Sequence, residues 1–259
     1  MNEAKRRALF ERLRELEPEP ASELAYRTPF ELLVAVVLSA QSTDRGVNQC
    51  TAKLYPVANT PEAIAALGVD GLVPYISSIG LYRNKAKHVV ALSRILVDEH
   101  GGEVPRDRES LERLPGVGRK TASVVLNVAF GEPTIAVDTH IFRVANRTGL
   151  APGKDPLAVE QGLERATPAE FKRHAHPWLI LHGRYVCVAR KPRCPDCPIA
   201  DLCEFRDKTG TQADRPRARA PTRGESARAP KATAPRPAAR GAQPMAKTAR
   251  AGVRRGRSR

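Results

Sequence analysis

The sequence predicts an all-α protein whose helices are joined by short connections. Helix-start signals, in which Thr or Asp precedes Pro or Glu, recur along residues 1–210. Apolar residues in the segments that follow recur at helical spacing, and glycines stand where several of these segments end. No run of alternating apolar and polar residues indicates a strand, so the helices must pack on one another.

Two helix starts are marked by a threonine directly before a proline. Thr28 and Pro29 open the apolar segment "TPFELLVAVVLSA", and Glu31 stands where a capping box places its acidic residue. Thr60 and Pro61 open "TPEAIAAL" in the same way. We therefore predict one helix from each of these caps.

The segment "NKAKHVVALSRILVDEHGG" carries a long apolar stripe. The residues close to this stripe are Ala86, Val89, Val90, Ser93, Ile95 and Leu96. Gly101 is positioned to end the helix. A shorter helix is predicted in "DRESLERL", with Asp107 as its N-cap.

Further helices are predicted in the second half of the chain. The segment "KTASVVLNVAFG" ends near Gly131, and "VDTHIFRVANRTGL" starts with Asp138 in an N-cap position. The segment "PAEFKRHAHPWLILHGRYVC" continues in helical register. Pro177 within it is expected to break the helix or to begin a new one.

Most of the positive charge lies in a C-terminal tail. The 259 residues have a formal net charge of +15, and residues 211–259 contain 14 Lys and Arg against 2 acidic residues. This tail is rich in Ala, Arg and Pro and has almost no large apolar residues, so we expect it to be disordered. It is either an electrostatic arm for a polyanion or a solubility tail without a partner.

The remaining composition predicts a protein that does not enter a membrane. The N-terminal segment "MNEAKRRALFERLREL" is charged throughout and lacks the apolar centre of a signal peptide. No apolar run approaches the roughly 20 residues that span a bilayer. We therefore expect a cytoplasmic location.

Four of the five cysteines are clustered near residue 200. They are Cys187, Cys194, Cys197 and Cys203, separated by six, two and five residues. In a reducing compartment such a cluster is more typical of metal binding than of disulfides. A zinc ribbon usually offers two C-x2-C pairs and this loop has one, so the spacing favours an iron–sulfur cluster, with zinc as the alternative.

The cysteine loop also carries positive charge. Arg190, Lys191 and Arg193 lie between its first two cysteines. A loop that is fixed by a metal and presents three cations is suited to DNA backbone phosphates. The alternative is that the cluster only stabilises the C-terminal part of the fold.

The glycine-rich turn "LPGVGRKT" precedes the helix that contains Lys120. Its spacing fails both nucleotide-binding motifs. A P-loop would need glycines at Leu114 and Arg119, and the dinucleotide pattern would need one at Thr121. Neither motif is therefore assigned.

Without those motifs, the turn is predicted to join two helices. Gly116 and Gly118 would let a DNA phosphate approach the free N–H groups at the start of the second helix. Val117 between them would pack the two helices together. A plain connector without a ligand is the alternative.

Together these motifs resemble the endonuclease III family of the helix-hairpin-helix superfamily. After "LPGVGRKTA", Asp138 in "VDTHIFRVANR" follows Lys120 by 18 residues, and the cysteine loop comes next. The segments "LLVAVVLSAQSTD" and "IGLYRNKA" are also similar to that family. The likeness covers about residues 1–208, so the tail lies outside it.

The resemblance implies two helical domains that flank a DNA-binding cleft. One is a six-helix domain at residues 22–131 that contains the hairpin. The other combines residues 1–21 with residues 132–210 and holds a [4Fe-4S] cluster, which leaves the basic tail at 211–259. The implied activity is removal of oxidised pyrimidines from duplex DNA, followed by cleavage at the abasic site. A monomer is sufficient for this reaction, and the expected location of the protein is the nucleoid.

The resemblance also implies residue roles. Lys120 would attack the sugar C1′ and form a Schiff base, and Asp138 would stabilise positive charge at the same sugar. Gln41 and Leu81 would fill or wedge the gap left by the flipped nucleotide. An amine attacks only when neutral, and we expect Arg119, the helix start and burial to favour that form.

Residue chemistry by itself leaves simpler roles open. Lys120 could contact a phosphate, and Asp138 could be only a helix N-cap. Leu81 could be a core residue and Gln41 a polar residue at a helix end. The resemblance is what separates the two sets of roles.

Two other functions are compatible with parts of the pattern. An adenine-mispair glycosylase shares the hairpin, but Lys120 and the lack of a core-forming C-terminal domain argue against it. A non-catalytic iron–sulfur DNA-binding protein would not require Lys120 and Asp138 together. Asp44 and His140 are lesser candidates for the pocket.

Overall fold

The computed structural model describes residues 1–210, and within them the fold is entirely helical. The helices are α1 (Glu3–Leu16), α2 (Pro29–Ser39), α3 (Asp44–Leu54), α4 (Pro61–Ile76), α5 (Tyr82–His100), α6 (Arg108–Arg113), α7 (Arg119–Phe130), α8 (Thr139–Thr148), α9 (Pro156–Ala166) and α10 (Lys172–Tyr185). Short 3-10 helices occupy Ala169–Phe171 and Cys194–Asp196. No strand occurs in this part of the chain, which confirms the all-α prediction. The predicted disorder of residues 211–259 lies outside the described residues.

The predicted helix ends are present where the sequence places them. The side chains of Thr28, Thr60 and Asp107 each accept a backbone hydrogen bond in the first turn of α2, α4 and α6. Gly101 and Gly131 follow α5 and α7 in the left-handed conformation. These signals are local, which is why the sequence alone is sufficient to place them.

The first core is built around α2. Every residue of α2 from Phe30 to Leu38 is buried, so this helix is surrounded on all sides. Helices α3, α5 and α7 pack against it, and residues of α4 and α6 and Val117 of the glycine-rich turn belong to the same core. Glu31 is the one acidic residue in this buried stretch. Its carboxylate accepts hydrogen bonds from the backbone N–H of Arg27 at 2.6 Å and from the Asn59 amide at 3.2 Å.

The second core joins the two ends of the described chain. It combines α1 with α8, α9, α10 and the residues that precede the last cysteine. Phe10 of α1 stacks on Phe171 with ring centroids 5.6 Å apart, and Trp178 of α10 packs against both rings. The Trp178 indole N–H donates to the carbonyl of Glu17 at 2.7 Å, so its polar group is satisfied.

The two cores correspond to different stretches of sequence. The first uses residues between Leu24 and Leu126, and the second uses residues up to Leu13 and from Ile135 onward. By backbone contacts, however, the described residues belong to one compact unit. The division into domains at 22–131 and at 1–21 with 132–210 therefore stays a prediction.

Pro177 does not break its helix. Helix α10 runs without interruption from Lys172 to Tyr185. A proline leaves the carbonyl four residues earlier without its helical donor. Here that carbonyl belongs to Arg173, and the side-chain amide of Asn127 in α7 donates to it at 3.0 Å. A partner from the other core therefore satisfies the group that the proline orphans.

Three features of the fold are not predicted from the sequence. Helices α3 and α9 have no counterpart among the predicted segments, although α9 starts with the pair Asp155 and Pro156. Helix α4 contains a break at Gly68, whose φ of 68° is left-handed.

Among residues 1–210, no helix has the length and apolar character needed to cross a bilayer.

Candidate active site and cysteine loop

Lys120 and Asp138 lie next to each other although 18 residues separate them in the sequence. Lys120 is the second residue of α7, and its side chain is 56% exposed. Asp138 is the N-cap of α8, where Oδ1 accepts the N–H groups of His140 and Ile141 at 2.9 and 2.8 Å. The Lys120 Nζ is 4.0 Å from Asp138 Oδ2. One carboxylate oxygen is thus fixed by the helix and the other faces the amine.

The Arg119 guanidinium is directed away from this pair. It donates to both carboxylate oxygens of Glu160 in α9 at 2.8 to 3.2 Å. Arg108 of α6 is 3.7 Å from the same carboxylate. Arg119 therefore does not stand as an unpaired charge beside the amine of Lys120, which differs from our expectation. Instead it attaches the start of α7 to the second core.

The two glycines of the turn have different structural requirements. Gly116 has φ = 80°, and a Cβ there would meet His88 Cβ at 2.9 Å. Gly118 has φ = −101°, and a Cβ there would meet nothing within 4 Å. Gly116 is thus required by backbone conformation and packing. Gly118 leaves open space in front of the first N–H groups of α7, where an anion is favoured.

A large cleft opens beside Lys120. It has a volume of 1140 Å³ and lies between α2, α3, α7 and α10. Gln41, Asp44, Lys120, His176 and Arg184 are among the residues that line it. The volume is above the roughly 300–1,000 Å³ of typical small-molecule pockets, which is enough space for a nucleotide.

Ion pairs made by one arginine join two walls of this cleft. Arg184 of α10 forms ion pairs with Glu23 and with Asp44 at the start of α3. Asp44 therefore contributes to the wall of the cleft, as one of the candidate pocket residues. His140, the other candidate, contacts Arg143 at 3.2 Å through Nδ1 and is not among the lining residues.

His176 is a site residue that the sequence does not reveal. It lies in α10, is 4% exposed, and its Nδ1 is buried without a hydrogen-bond partner. Burial lowers its pKa to about 4, and the charges of Asp138 and Lys120 act on it as well. A histidine inside an amphipathic helix carries no sequence signal that separates it from an ordinary core residue.

Gln41 and Leu81 project from two loops that touch each other. Both residues have left-handed backbones, with φ of 54° and 59°. Leu81 is 56% exposed, which excludes the alternative that it is a core residue. A Cβ on Gly80 would lie 3.7 Å from the Gln41 carbonyl oxygen. Non-glycine residues in this conformation often mark functional positions.

The four clustered cysteines surround one small cavity. The cavity is lined by Cys187, Cys194, Cys197 and Cys203 together with apolar neighbours. Among residues 1–210, no three His, Cys, Asp or Glu side chains converge closely enough to hold a single metal ion. Four cysteines around one cavity are the ligand set that a cluster of several irons uses.

The surroundings of the thiols also fit a charged inorganic group. Burial raises the pKa of Cys197 to about 11 and raises the pKa of Cys203 as well. Thiolates at these positions therefore require the positive charge of bound metal. Arg147 Nη1 lies 3.7 Å from Cys187 Sγ, and His182 Nε2 lies 3.8 Å from Cys197 Sγ. Polar side chains this close to the sulfurs are typical of metal–thiolate sites.

The cations of the cysteine loop are directed to solvent. Arg190, Lys191 and Arg193 are all exposed, and Lys191 has a left-handed backbone with φ = 51°. The backbone N–H of Arg193 donates to the carbonyl of Val186 at 3.0 Å, which fixes the base of the loop. The three side chains are thus available to a ligand outside the protein.

Comparison with known proteins gives two family matches. Residues 34–169 match the HhH-GPD superfamily of base excision DNA repair proteins. Residues 187–203 match the iron-sulfur binding domain of endonuclease III. The first match spans the hairpin, Lys120 and Asp138, and the second spans the four clustered cysteines.

Individual proteins give the same result. The chain is 62% identical over 208 residues to endonuclease III of Escherichia coli K12, which covers 80% of this chain and 99% of that protein. It is 61% identical over 208 residues to endonuclease III of Haemophilus influenzae, with the same shares covered. A solved structure of a trapped endonuclease III–DNA covalent intermediate matches with a TM-score of 0.74 and 46% identity, over 79% of this chain and 96% of that one.

Proposed function

The chain belongs to the endonuclease III family of the HhH-GPD superfamily, and on that premise we propose that Lys120 and Asp138 perform its chemistry. The protein is a DNA glycosylase of base excision repair, with the abasic-site lyase activity typical of its family and a [4Fe-4S] cluster. The observation that carries the residue assignment is the 4.0 Å distance between Lys120 Nζ and Asp138 Oδ2 at the edge of the cleft.

The proposed substrate is duplex DNA that contains an oxidised pyrimidine or an abasic site. The cleft accepts a nucleotide that has left the helix, and the amine of Lys120 lines it. One of the matched structures is a covalent complex with DNA, which requires a nucleophile on the protein. Lys120 is the one lysine among the described residues that line this cleft, and its amine can supply one. All the proposed residues lie in one chain, so a monomer is sufficient for the reaction. The proposed place of action is the nucleoid, where the DNA lies.

Asp138 is proposed to prepare the amine for attack. Its Oδ2 accepts a proton from the Lys120 ammonium, which leaves the nitrogen lone pair free. Its Oδ1 is held by two backbone N–H groups of α8, so the carboxylate keeps its direction while the proton moves. Once Asp138 gives that proton up again, its carboxylate is negative and stabilises the positive charge that develops at C1′. The N-cap role and the catalytic role thus use different oxygens of the same side chain.

The covalent step then follows in order. The Lys120 nitrogen forms a bond to C1′, and the bond from C1′ to the base breaks, with the departing base taking up a proton. Opening of the sugar ring gives a Schiff base between Lys120 and C1′. Loss of a proton from C2′ then expels the phosphate on the 3′ side by β-elimination. Water finally releases Lys120.

The DNA contacts are proposed from exposure and charge. Gln41 and Leu81 occupy the space left by the flipped nucleotide. The backbone of Gly116, Val117 and Gly118 binds a phosphate at the start of α7. A further group of phosphate contacts comes from Arg190, Lys191 and Arg193.

The four clustered cysteines are proposed as the ligands of the [4Fe-4S] cluster. Cys187, Cys194, Cys197 and Cys203 are all free, and Cys50, the fifth cysteine, is buried in the first core. When bound, the cluster supplies a metal–thiolate cross-link across the loop. That cross-link holds the three exposed cations in a fixed place relative to α10.

Borohydride trapping tests the proposed nucleophile. Reduction of the Schiff base should link the wild-type protein covalently to a duplex that contains thymine glycol or an abasic site. Lys120→Ala should give no adduct, and Lys154→Ala, which removes an exposed lysine elsewhere, should give the wild-type amount. Adduct formation by Lys120→Ala would refute the assignment. If the wild type gave none, a non-catalytic DNA-binding protein or a hydrolytic adenine-mispair glycosylase would explain the fold better.

A further inference from the structure

Lys85 is a buried cation that the chemistry described above does not use. It lies on α5, one turn after Leu81, and is 4% exposed. Burial lowers the pKa of its ammonium. Lysine is seldom fully buried, because removing its charge from water is unfavourable unless other groups compensate. Its position therefore calls for a role.

The ammonium reaches across to the other DNA-facing loop. Lys85 Nζ donates to Ser42 Oγ at 2.8 Å. Ser42 directly follows Gln41, and its own N–H donates to the Ser39 carbonyl at 3.0 Å at the end of α2. At the same time, the backbone N–H of Lys85 donates to the carbonyl of Leu81 at 3.0 Å. One residue thus bonds to the Leu81 backbone and to the neighbour of Gln41.

A second contact ties the same two parts of the fold together. Cys50 Sγ in α3 lies 3.2 Å from Ser78 Oγ, three residues before Leu81. Cys50 is 1% exposed. The two contacts, Lys85 with Ser42 and Cys50 with Ser78, thus both join the region from Ser42 to α3 to the segment that carries Leu81.

The geometry points to Lys85 as a positioning residue that locks the Gln41 loop to the Leu81 loop, so that both side chains enter DNA as one unit. Gln41 and Leu81 each have a left-handed backbone, which is unfavourable for an L-residue and must be held by its surroundings. The Ser42 contact of the ammonium provides such a restraint for the Gln41 loop, while Leu81 is held as the N-cap of α5, the helix that also carries Lys85. This inference rests on the proposed roles of Gln41 and Leu81 in filling the DNA gap.

The test compares variants of the contact between Lys85 and Ser42, which we call the lock, with a variant of a neighbouring lysine. Ser42→Ala removes the acceptor with little change in volume, and Lys85→Met removes the donor with a similar shape. Lys87→Met removes the same charge from the exposed face of α5 and is the matched control. Binding is measured to a duplex with a stable abasic-site analogue, and base displacement is followed by 2-aminopurine fluorescence next to the lesion.

We expect Lys85→Met to weaken binding to the lesion duplex about tenfold and to reduce the fluorescence change, as loss of a hydrogen bond to a charged group predicts. Ser42→Ala should act in the same direction, and the double variant should be no worse than Lys85→Met. Borohydride trapping on a single-stranded abasic substrate, which needs no wedge, should stay at the wild-type level. A variant that had only lost its fold would fail on both substrates.

Three outcomes would overturn the inference. If Leu81→Ala and Gln41→Ala weaken lesion binding but Lys85→Met and Ser42→Ala do not, the lock is wrong while the wedge roles stand. If Leu81→Ala and Gln41→Ala have no effect, the wedge roles fail and the lock fails with them. If Lys85→Met weakens binding to undamaged duplex equally and reduces the salt slope by about one, Lys85 is a phosphate contact instead.

Discussion

Gly116 and Gly118 show at the residue scale how two identical residues in one motif serve different purposes. The sequence predicts that both glycines admit a phosphate to the start of α7. In the structure, only Gly116 has a positive φ and a close neighbour, whereas Gly118 faces open space. The motif therefore combines a folding requirement with a proposed binding requirement.

Alanine substitutions should separate the two requirements. Gly116→Ala forces a side chain into a left-handed backbone against His88, so we expect a loss of about 1–3 kcal/mol in the free energy of unfolding. Gly118→Ala should leave that free energy nearly unchanged but weaken DNA binding, because its methyl group occupies the phosphate position. Urea denaturation and duplex binding measure the two effects. Equal stability of the two variants would contradict this division.

His176 gives a residue-scale prediction for pH. Its pKa of about 4 in the folded protein lies below the ordinary histidine value of about 6.5. The unfolded chain therefore binds the proton first as pH falls, so the stability that neutral His176 provides is present above about pH 6.5. This contribution to the free energy of unfolding is lost as the pH falls from about 6.5 to 4. Between pH 7 and pH 5 the free energy of unfolding should fall by about 2 kcal/mol because of His176.

Urea unfolding at pH 7 and pH 5 measures this effect. His176→Gln should show a smaller difference between the two pH values than the wild type does. His174→Gln, which replaces a half-buried histidine on the same helix, should retain the wild-type difference. If His176→Gln retained the wild-type difference, the buried neutral state of His176 would be refuted.

Residue chemistry could be predicted only where the signal is local. The N-cap role of Asp138 follows from one short stretch of sequence. Its approach to Lys120 depends on how α7 and α8 are placed, and no feature of either segment encodes that distance. Resemblance to a family supplied the pairing, and Arg119 shows the limit of reasoning from neighbours in sequence, since its partner Glu160 lies 41 residues away.

At the scale of elements, caps and stops predicted most of the helices. Thr28, Thr60 and Asp107 act through their own first turns, so their effect is independent of the rest of the fold. Helix α9 carries the same Asp–Pro signal, so the sequence contained the information to predict it. Helix α3 has a weaker pattern, because polar residues and Gly46 interrupt its apolar positions, and its formation depends on packing against α2 and α4.

Pro177 shows why an element can override a strong local rule. A proline inside a helix is normally disruptive because a carbonyl loses its donor. The amide of Asn127 replaces that donor from a different helix, and Asn127 also donates to the carbonyl of Glu132 at 2.9 Å. No inspection of α10 by itself could predict this compensation. Helix α7, which carries Lys120, thus contacts the second core near both of its ends, through Arg119 at its start and Asn127 near its last turn.

At the scale of the whole molecule, the basic tail is the part that the Escherichia coli and Haemophilus influenzae relatives leave unmatched, since an alignment over 208 residues covers 99% of each of them. Residues 211–259 carry most of the net charge, and the matched relatives align over 208 residues. We predict that deletion of this tail leaves borohydride trapping intact, because every proposed catalytic residue lies before it. Duplex binding should weaken, and the dependence of log K on log salt should become flatter, as loss of phosphate contacts requires.

Binding measured at several salt concentrations with the full chain and the truncated chain decides this point. An unchanged salt slope would mean that the tail does not touch DNA, and the solubility role would remain. Loss of trapping in the truncated protein would instead mean that the tail supports the active site.

The bond from Asn127 to Arg173 has a mechanical consequence for the whole protein. Any motion that spread the cleft by moving α7 away from α10 would break this bond and leave the half-buried carbonyl of Arg173 without its protein donor, which is unfavourable. The ion pairs of Arg119 and Arg184 would be broken in the same motion. We therefore expect the cleft to open little on binding, so that the duplex supplies most of the deformation. Lesions that already soften the duplex would then be the easiest to engage.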